Sequence, residues 1–525
     1  MRPSNTGIHN RGASEWSSAK FGRIIDLLRE NLQKYGITLF IASLLSVAAR
    51  GQTIFSPLYS FDRYEFAYLA EKLNPPEFLL PQGRFGLAAI FWLRGLIGYD
   101  GTDIGVSSLI LAVLFFAAAG IFFAKLVLDN PTRSELSIFL AIMTLHPFGT
   151  EFFTFSDATL NIMIGLLLSA AGAFLAARSS NQWVSIGIAT LLLIAALSIY
   201  QTTIAYVLPL CLIALVVRIS RRELPAFQQP FFQWPEFRAL IVVLASVVVY
   251  LAVAKLISHV SGVPLDGRTD FAGLVDVKAK LSIVWTALTL ALWPMPGLLP
   301  AGASILLIVL LTISTILVIF PMLRNGLVLS GILCAAMLAA GLGWAVGASA
   351  VGKVIWLVPR VLAPMSAFAA GLIMVGWHLA SLRSKALFGV ASVVLVLAYI
   401  GSSNRILSEQ HRLNHWDAQQ ANRIVDRLER HPRFVDIRSL AIIGGDWRRS
   451  ARLVTTTGDM NVSAFFSRPS KLGLIQEASG YRFEKTTATE YTDAEQYCQT
   501  APHFPADASV TVLGSVGIVC LVKLE

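Results

Sequence analysis

The chain has 525 residues, of which 55% are hydrophobic and only 14% are charged, whereas soluble globular domains carry about 25% charged residues. So few charges cannot cover a water-facing surface of this size, which excludes a soluble protein and indicates a polytopic membrane protein. The net charge of +10 lies mostly before residue 403, because residues 403–525 hold 15 basic and 14 acidic side chains. Short cytoplasmic loops collect Lys and Arg, so the excess indicates membrane orientation and predicts no nucleic-acid partner.

The apolar runs predict an α-helical membrane domain. Residues 1–34 are basic and lack the apolar core of a signal peptide, so we expect a cytoplasmic N-terminal segment. Two apolar stretches, 85–99 and 281–300, predict interfacial or re-entrant helices, because the first is short and the second ends in helix-breaking prolines. Runs long enough to predict spanning helices number eleven: 35–50, 105–128, 135–147, 157–177, 183–199, 201–217, 239–258, 302–322, 327–350, 353–376 and 385–402.

The charges between these runs predict the orientation. The segment 51–104 holds four basic and six acidic residues, which is typical of an outer loop. A transmembrane domain over 35–402 then has its N-terminus inside and its C-terminus outside. After residue 402 the sequence reads as an amphipathic helix followed by short strand-like runs, which predicts a small extracytoplasmic α/β domain over 403–525. In an oxidising compartment Cys498 and Cys520 are disulfide candidates, and two buried thiols are the alternative.

Charged residues beside membrane spans are candidates for function because they are costly there. In SFDRYEF, after the first span, Asp62 and Glu65 lie one helical turn apart, and Arg84 follows in a Gln-Gly-Arg turn. A carboxylate near an arginine suits general-base work on a hydroxyl, or a phosphate or metal site. A solvated loop is the alternative interpretation.

Two more polar segments interrupt the apolar runs, and an arginine begins another run. In HPFGTEFFTFSD, Glu151 and Asp157 lie among phenylalanines, which predicts a sugar-binding cleft or an interfacial aromatic belt. In LSIYQTT, Tyr200 and Gln201 line a cavity or hold helices together by hydrogen bonds. Arg360 either binds a lipid phosphate or extends to the headgroups.

Four segments of the chain, taken in order, resemble the motifs of the polyprenyl-phosphate-dependent glucosyl transferases of the serotype-converting, O-antigen-modifying type. These segments are SFDRYEF, QGRFG, HPFGTEFFTFSD and LSIYQTT. The resemblance covers nearly the whole chain and implies a GT-C-like membrane glycosyltransferase of the bacterial cytoplasmic (inner) membrane. Its implied donor is a polyprenyl-phosphate-linked monosaccharide, most simply glucose, and its implied acceptor is a hydroxyl of a surface glycan. A transporter or flippase of a lipid-linked glycan is the alternative.

The resemblance also implies roles for the candidate residues. Asp62, with Glu65, would be the catalytic base of an inverting displacement, while Arg84 and Arg360 would bind the donor phosphate. The family commonly has two adjacent acids in the first motif, but here Arg63 follows Asp62. This departure leaves open which acid is the base, although Asp62 is favoured, and whether a divalent metal, which paired acids favour, is bound. The residues implied to orient the sugar or the acceptor are Glu151, Asp157, Tyr200 and Gln201.

Overall fold

The computed structural model describes most of the chain, and the structural statements that follow concern these residues: 12–56, 58–70, 78–96, 106–178, 182–221, 234–266, 277–293, 298–351, 357–445 and 461–521. The predicted span at 353–376 begins with residues that lie outside these ranges.

Most of the described chain is helical, as the composition predicts. The first five helices are α1 (Gly12–Phe55), α2 (Phe61–Ala70), α3 (Phe85–Leu96), α4 (Val106–Val127) and α5 (Arg133–Leu145). They are followed by α6 (Ser156–Arg178), α7 (Gln182–Ile199), α8 (Val207–Ser220), α9 (Pro235–Ser261) and α10 (Val277–Leu292). The remaining membrane helices are α11 (Ala301–Arg324), α12 (Val328–Gly347), α13 (Pro359–Leu362), α14 (Pro364–Leu379) and α15 (Leu382–Arg430).

The count of spans differs from the eleven predicted. The described residues hold nine helices that are long and apolar enough to cross a membrane, or ten if the bent pair Arg133–Leu145 and Pro147–Thr154 is one span. The runs at 135–147 and 183–199 do form helices, but both are short. α5 stops before Pro147, since a proline cannot donate the next helical hydrogen bond, and α7 stops where Tyr200 is extended at φ −156°. The predicted non-spanning stretches form α3 and α10, neither of which is among the nine.

Basic residues gather at one end of the helix bundle. Arg133 Nε donates to the Lys34 carbonyl (3.2 Å), Arg178 Nη2 donates to the Lys125 carbonyl (3.5 Å), and the Lys125 ammonium lies 5.7 Å from the centre of the Tyr35 ring. These contacts join the middle of α1, where its apolar span begins, to the end of α4, the start of α5 and the end of α6. The C-terminal end of α1 lies about 30 Å from Lys34 at 1.5 Å per residue, and α2 follows there.

The C-terminal part forms a small α/β unit around the end of α15. The helix α15 runs for 49 residues without a break through residue 403, where the sequence places a domain boundary. Beyond it, β1 (Ser439–Ile443), β3 (Val516–Cys520) and β2 (Val510–Leu513) form a sheet in the order β1-β3-β2, with β1 parallel and β2 antiparallel to β3. Helices α16 (Arg468–Ser479) and α17 (Ala488–Thr500) cover it, and a disulfide joins Cys498 to Cys520.

The helix α2 packs against this C-terminal unit. Tyr64 belongs to the same buried apolar cluster as Leu472 and Ile475 of α16. Gly473 approaches α2 so closely that an added Cβ would overlap the Tyr64 carbonyl oxygen. Only glycine permits this approach, so the sequence of α16 determines how close α2 lies to it.

We therefore expect Gly473→Val to separate α2 from α16. The added side chain meets a backbone oxygen that cannot rotate away, and overpacking of this kind costs about 1–3 kcal/mol. Thermal unfolding of the purified protein in detergent measures the effect, and transfer activity should fall with it. Gly187→Ala is the matched control because nothing lies within 4 Å of its added Cβ. Equal unfolding temperatures for Gly473→Val and the parent would refute the close-approach argument.

Candidate active site

The segment Pro147–Thr154 is the centre of the candidate site. It forms a 3₁₀ helix in which all eight residues are buried, and it is bent by 53° from α5. The bend follows from the sequence, because His146 leaves the helical conformation before Pro147 and caps the new turn by accepting from the Phe148 N–H. Irregular backbone at membrane depth is stable only where protein buries it, so neighbouring elements must enclose this segment.

Glu151 and Arg360 form a buried ion pair at this centre. The Arg360 side chain donates from Nη1 to Glu151 Oε1, and the Arg360 backbone N–H donates to Oε2, both at 2.5 Å. The Glu151 side chain is 0% exposed and that of Arg360 is 20% exposed. The guanidinium also lies 4.8 Å from the centre of the Phe155 ring. The structure thus joins two residues to which the sequence gives separate roles, one on the sugar and one on the phosphate.

The Gln-Gly-Arg turn lies against the Tyr200–Gln201 junction. Gln201 Nε2 donates to the Gln82 carbonyl (2.6 Å) and to the Tyr250 hydroxyl (2.9 Å), and that hydroxyl donates to the Gly83 carbonyl (3.1 Å). Gly83 has φ +71°, a left-handed conformation that glycine adopts without strain. The turn carries Arg84 so that its guanidinium lies 5.0 Å from the centre of the Tyr200 ring. Two motifs that are separate in sequence therefore form one surface.

An aromatic contact and a backbone hydrogen bond bring the remaining motifs to the same centre. The Phe152 and Tyr200 rings meet edge to face at 6.1 Å, which links the Arg84 surface to the Pro147–Thr154 segment. On the other side, the Ser60 N–H donates to the Thr154 carbonyl (3.1 Å), just before α2 begins. Asp62 lies in the first turn of α2. The helix α15 fixes this entry, because Gln410 Nε2 donates to the Tyr59 carbonyl (2.7 Å).

The two acids of α2 have different surroundings. Both are half-buried, and Glu65 Oε2 accepts from the Ser467 hydroxyl at 3.4 Å. Burial, followed by the negative charge of Asp62, raises the pKa of Glu65, while the Ser467 hydrogen bond and the Lys485 charge oppose part of that rise. A carboxyl group with a raised pKa is better suited to accept a proton than an ordinary one. The geometry therefore keeps Glu65, as well as Asp62, a candidate for the base.

Asp157, the last predicted site residue, lies in the first turn of α6, and its side chain is outside the described part of the structure. A divalent metal remains an untested expectation. Among the described residues, no group of three or more His, Cys, Asp or Glu side chains is arranged to hold a metal ion, so we assign no metal ligand.

Sequence reasoning missed three residues that build the site. Tyr250 sits inside the apolar run of α9, where nothing in the pattern distinguishes it, and Ser467 lies far from the motif whose acid it contacts. Arg50 is 0% exposed near the end of α1, where it donates to the His146 carbonyl (3.4 Å) and lies 4.8 Å from the centre of the Phe153 ring. A lone arginine at the end of the first apolar run was the available signal, since a charge there is costly.

The site combines a buried acid–arginine pair, aromatic side chains and two carboxylates on α2, all at one end of the membrane helix bundle. This combination is typical of a membrane enzyme that acts on a polar substrate. A comparison with protein families identifies which one: the family model described as Glucosyl transferase GtrII matches residues 51–351, more than half of the chain. The chain belongs to this family and is a membrane glycosyltransferase. Neither the curated proteins nor the solved structures with which it was compared give a match.

The match agrees with the resemblance carried by the motifs. All four motifs lie inside residues 51–351, whereas Arg360 and the C-terminal unit lie beyond them. Family membership therefore supports the enzyme class, and the contacts of Arg360, Ser467 and Lys485 are properties of this structure. A lipid-glycan transporter, the alternative class, is not supported by this membership.

We expect the Glu151–Arg360 pair to stabilise the fold as well as the site. Removing one partner of a buried pair typically costs 3–5 kcal/mol, because the remaining charge is left uncompensated. Glu151→Gln and Arg360→Gln should each lower the unfolding temperature in detergent, and the double variant should lose less than the sum of the two. Arg430→Gln is the control, since its exposed pair with Asp426 is worth about 0–1 kcal/mol. Additive losses would contradict the pairing.

Proposed function

We propose that this protein transfers glucose from a polyprenyl-phosphate donor to a hydroxyl of a surface glycan such as O-antigen, with inversion, on the outer face of the bacterial cytoplasmic membrane. The observation that carries the proposal is the convergence of four motifs on the buried Pro147–Thr154 segment. Membrane helices carry the Arg84 surface on one side of this segment, and α2, which packs on the C-terminal unit, begins on the other side. We infer that a lipid-linked donor reaches this site from the membrane helices and that a water-borne acceptor reaches it from the side of the C-terminal unit.

The proposed reaction is a single displacement. A carboxylate of α2, Asp62 or Glu65, removes the proton of the acceptor hydroxyl as its oxygen attacks the anomeric carbon. The bond between that carbon and the phosphate oxygen breaks, and the lipid phosphate leaves with the bonding electrons. Arg84 stabilises the charge that develops on the phosphate. The contacts of Arg360 with Glu151 favour Arg84 as the phosphate ligand and give Arg360 the role of holding Glu151 in place.

The sugar would lie against the aromatic surface between these groups. The Arg84 guanidinium lies over the Tyr200 ring, which packs edge to face on Phe152. Tyr200 therefore connects the proposed phosphate ligand to the Pro147–Thr154 segment. Gln201 holds the Gln-Gly-Arg turn through two hydrogen bonds. We assign Tyr200 and Gln201 to positioning the donor, and Glu151 and Asp157 to orienting the sugar or the acceptor.

The outward orientation is supported by where the charges lie. The basic residues Lys34, Lys125, Arg133 and Arg178 meet at the end of the bundle opposite to α2. Because cytoplasmic loops are rich in Lys and Arg, this arrangement favours a cytoplasmic location for that end. The C-terminal unit and its disulfide then lie in the oxidising outer compartment.

Transfer of label from radioactive polyprenyl-phosphate-glucose to an acceptor glycan tests the activity. Asp62→Asn and Glu65→Gln should each insert and fold, and the variant that lacks the base should lose about 10²- to 10⁴-fold in rate. Asp426→Asn, on an exposed face of α15, is the control and should keep parental activity. If both α2 variants transfer label as fast as the parent, α2 does not carry the base.

The pH dependence of transfer distinguishes the two acids. If Glu65 is the base, activity rises with pH through its raised pKa, because only the ionised carboxylate accepts a proton. Asp62→Asn removes the neighbouring negative charge that raises this pKa, so the acid limb of the kcat/KM profile should move to lower pH. An acid limb that stays in place in Asp62→Asn, with activity retained, would rule out Glu65 as the titrating base.

Labelling with a membrane-impermeant maleimide tests the orientation. Native Cys211 and Cys334 are buried and Cys498 is joined to Cys520, so a single introduced cysteine gives a clean signal. Val435→Cys and Leu382→Cys both replace residues that are 89% exposed. In spheroplasts Val435→Cys should react and Leu382→Cys should react only after lysis; the reverse pattern would place the C-terminal unit in the cytoplasm.

A further inference from the structure

A shallow surface cavity lies in the C-terminal unit, outside the residues that match the family. It encloses only about 20 Å³, and its volume reaches about 380 Å³ when the adjoining open solvent is counted. It is formed by one face of β1, the first turn of α16 and the strand-like segment before α17. Apolar side chains form its walls, and Arg468, Lys485 and Thr486 supply its polar groups. Its lining comprises Leu440, Ile442, Arg468, Pro469, Leu472, Lys485 and Thr486.

The charge of this cavity has one sign. Two of its lining residues are basic and none is acidic. Arg468 is held in place, because its Nη2 donates to the Thr486 carbonyl (3.1 Å) and its guanidinium lies 3.6 Å from the centre of the Tyr491 ring. Lys485 is exposed at the rim. A fixed arginine beside an exposed lysine, in a cavity with apolar walls, suits an anionic group attached to a less polar body.

The cavity adjoins the proposed catalytic acids. Arg468 follows Ser467, whose hydroxyl donates to Glu65, and the charge of Lys485 acts on the same carboxyl. A ligand held by Arg468 and Lys485 therefore lies near the Glu65 carboxyl group. The Arg84 surface lies at the opposite end of the chain of contacts that runs from α2 through Thr154, Phe152 and Tyr200. The donor phosphate is already assigned to that opposite surface.

We propose that this cavity is an acceptor subsite that binds an anionic sugar residue of the glycan, one that carries a carboxylate or a phosphate. The sugar ring lies over the apolar mouth of the cavity, and the two basic side chains bind its charge. The subsite lies next to the base, so it selects acidic glycans and aligns a neighbouring hydroxyl for transfer. This inference deepens the proposed function and rests on it for the assignment of the acceptor.

Binding is tested first without catalysis. Full-length protein in detergent is mixed with D-glucuronate or D-glucose, and saturation-transfer NMR measures contact with each sugar. Glucuronate should bind and glucose should bind much less, and Lys485→Gln should weaken glucuronate binding by about tenfold, the size expected for losing one charged contact. Arg430→Gln, which removes a positive charge from exposed α15, is the control and should leave binding at the parental level. Equal binding of both sugars would overturn the proposal.

The transfer assay then identifies which substrate the cavity serves. Lys485→Gln should lower the ratio of kcat/KM for a uronate-containing acceptor to that for a neutral acceptor, with the change mainly in the KM of the acidic glycan. A change in the ionisation of Glu65 would affect both acceptors equally, so the ratio separates binding from base strength. Arg468→Lys, which keeps the charge and loses the fixed geometry, should lower the ratio less.

The two proposals fail in different ways. A rise in KM for the lipid donor with no change in the acceptor ratio would assign the cavity to the donor phosphate and overturn the acceptor subsite. If Asp62→Asn and Glu65→Gln both retain transfer, the proposed mechanism fails, while the NMR measurement still decides whether the cavity binds an anionic sugar.

Discussion

A carboxylate that is completely enclosed within a membrane protein must be compensated, and in this structure Arg360 compensates Glu151. Leaving such a charge without a partner costs several kcal/mol, since neither water nor lipid can solvate it there. The two residues are 209 positions apart, so their pairing fixes the Pro147–Thr154 segment to the start of α13. Every motif of the site then attaches to this segment: Ser60 through Thr154, and the Arg84 surface through Phe152 and Tyr200. The ion pair thus determines where the other groups can lie.

The site is built where helices are interrupted. α5 ends before Pro147, α7 ends at the extended Tyr200, and α13 begins with Pro359 after the extended Val358. Each interruption exposes backbone donors and acceptors that a continuous helix would satisfy, and each is buried in protein rather than in lipid. Bringing polar side chains to membrane depth therefore shortens or bends the helices that carry them. For this reason two of the eleven predicted spans form helices that are too short to cross the membrane.

The sequence predicts the parts of this arrangement that are local. The positions of the membrane helices can be predicted from hydropathy, because a span of about 20 apolar residues is a property of one continuous segment. The order of the four motifs identifies the glucosyl transferase family. The pairing of Glu151 with Arg360 is not local, and a single sequence contains no signal that joins positions 209 residues apart. The role of Tyr250 cannot be predicted for a related reason. A tyrosine within the apolar run of α9 has the sequence pattern of a packing residue, and only the structure shows its hydroxyl bonded to Gly83 and Gln201. Both halves of α15 are predicted as helical, a span over 385–402 and an amphipathic helix after it, but their continuity is not. The fall in hydropathy after residue 402 suggests a boundary where the helix continues.

The packing of α2 against the C-terminal unit gives that unit a role in the site, which is to hold the two acids of α2 in place. A ten-residue helix that follows a membrane span is marginal by itself, since isolated helices of this length are unstable in water. Gly473 lets α16 approach its backbone, α15 holds Tyr59, and Ser467 contacts Glu65, so the acids are rigid only when the C-terminal unit is folded and docked. The proposed base is therefore positioned from the aqueous side, while the proposed phosphate ligand Arg84 is positioned by α7 and α9 from the membrane side. The proposed reaction between a lipid-linked donor and a water-borne acceptor fits this division, because each substrate would meet groups held by the part of the protein on its own side.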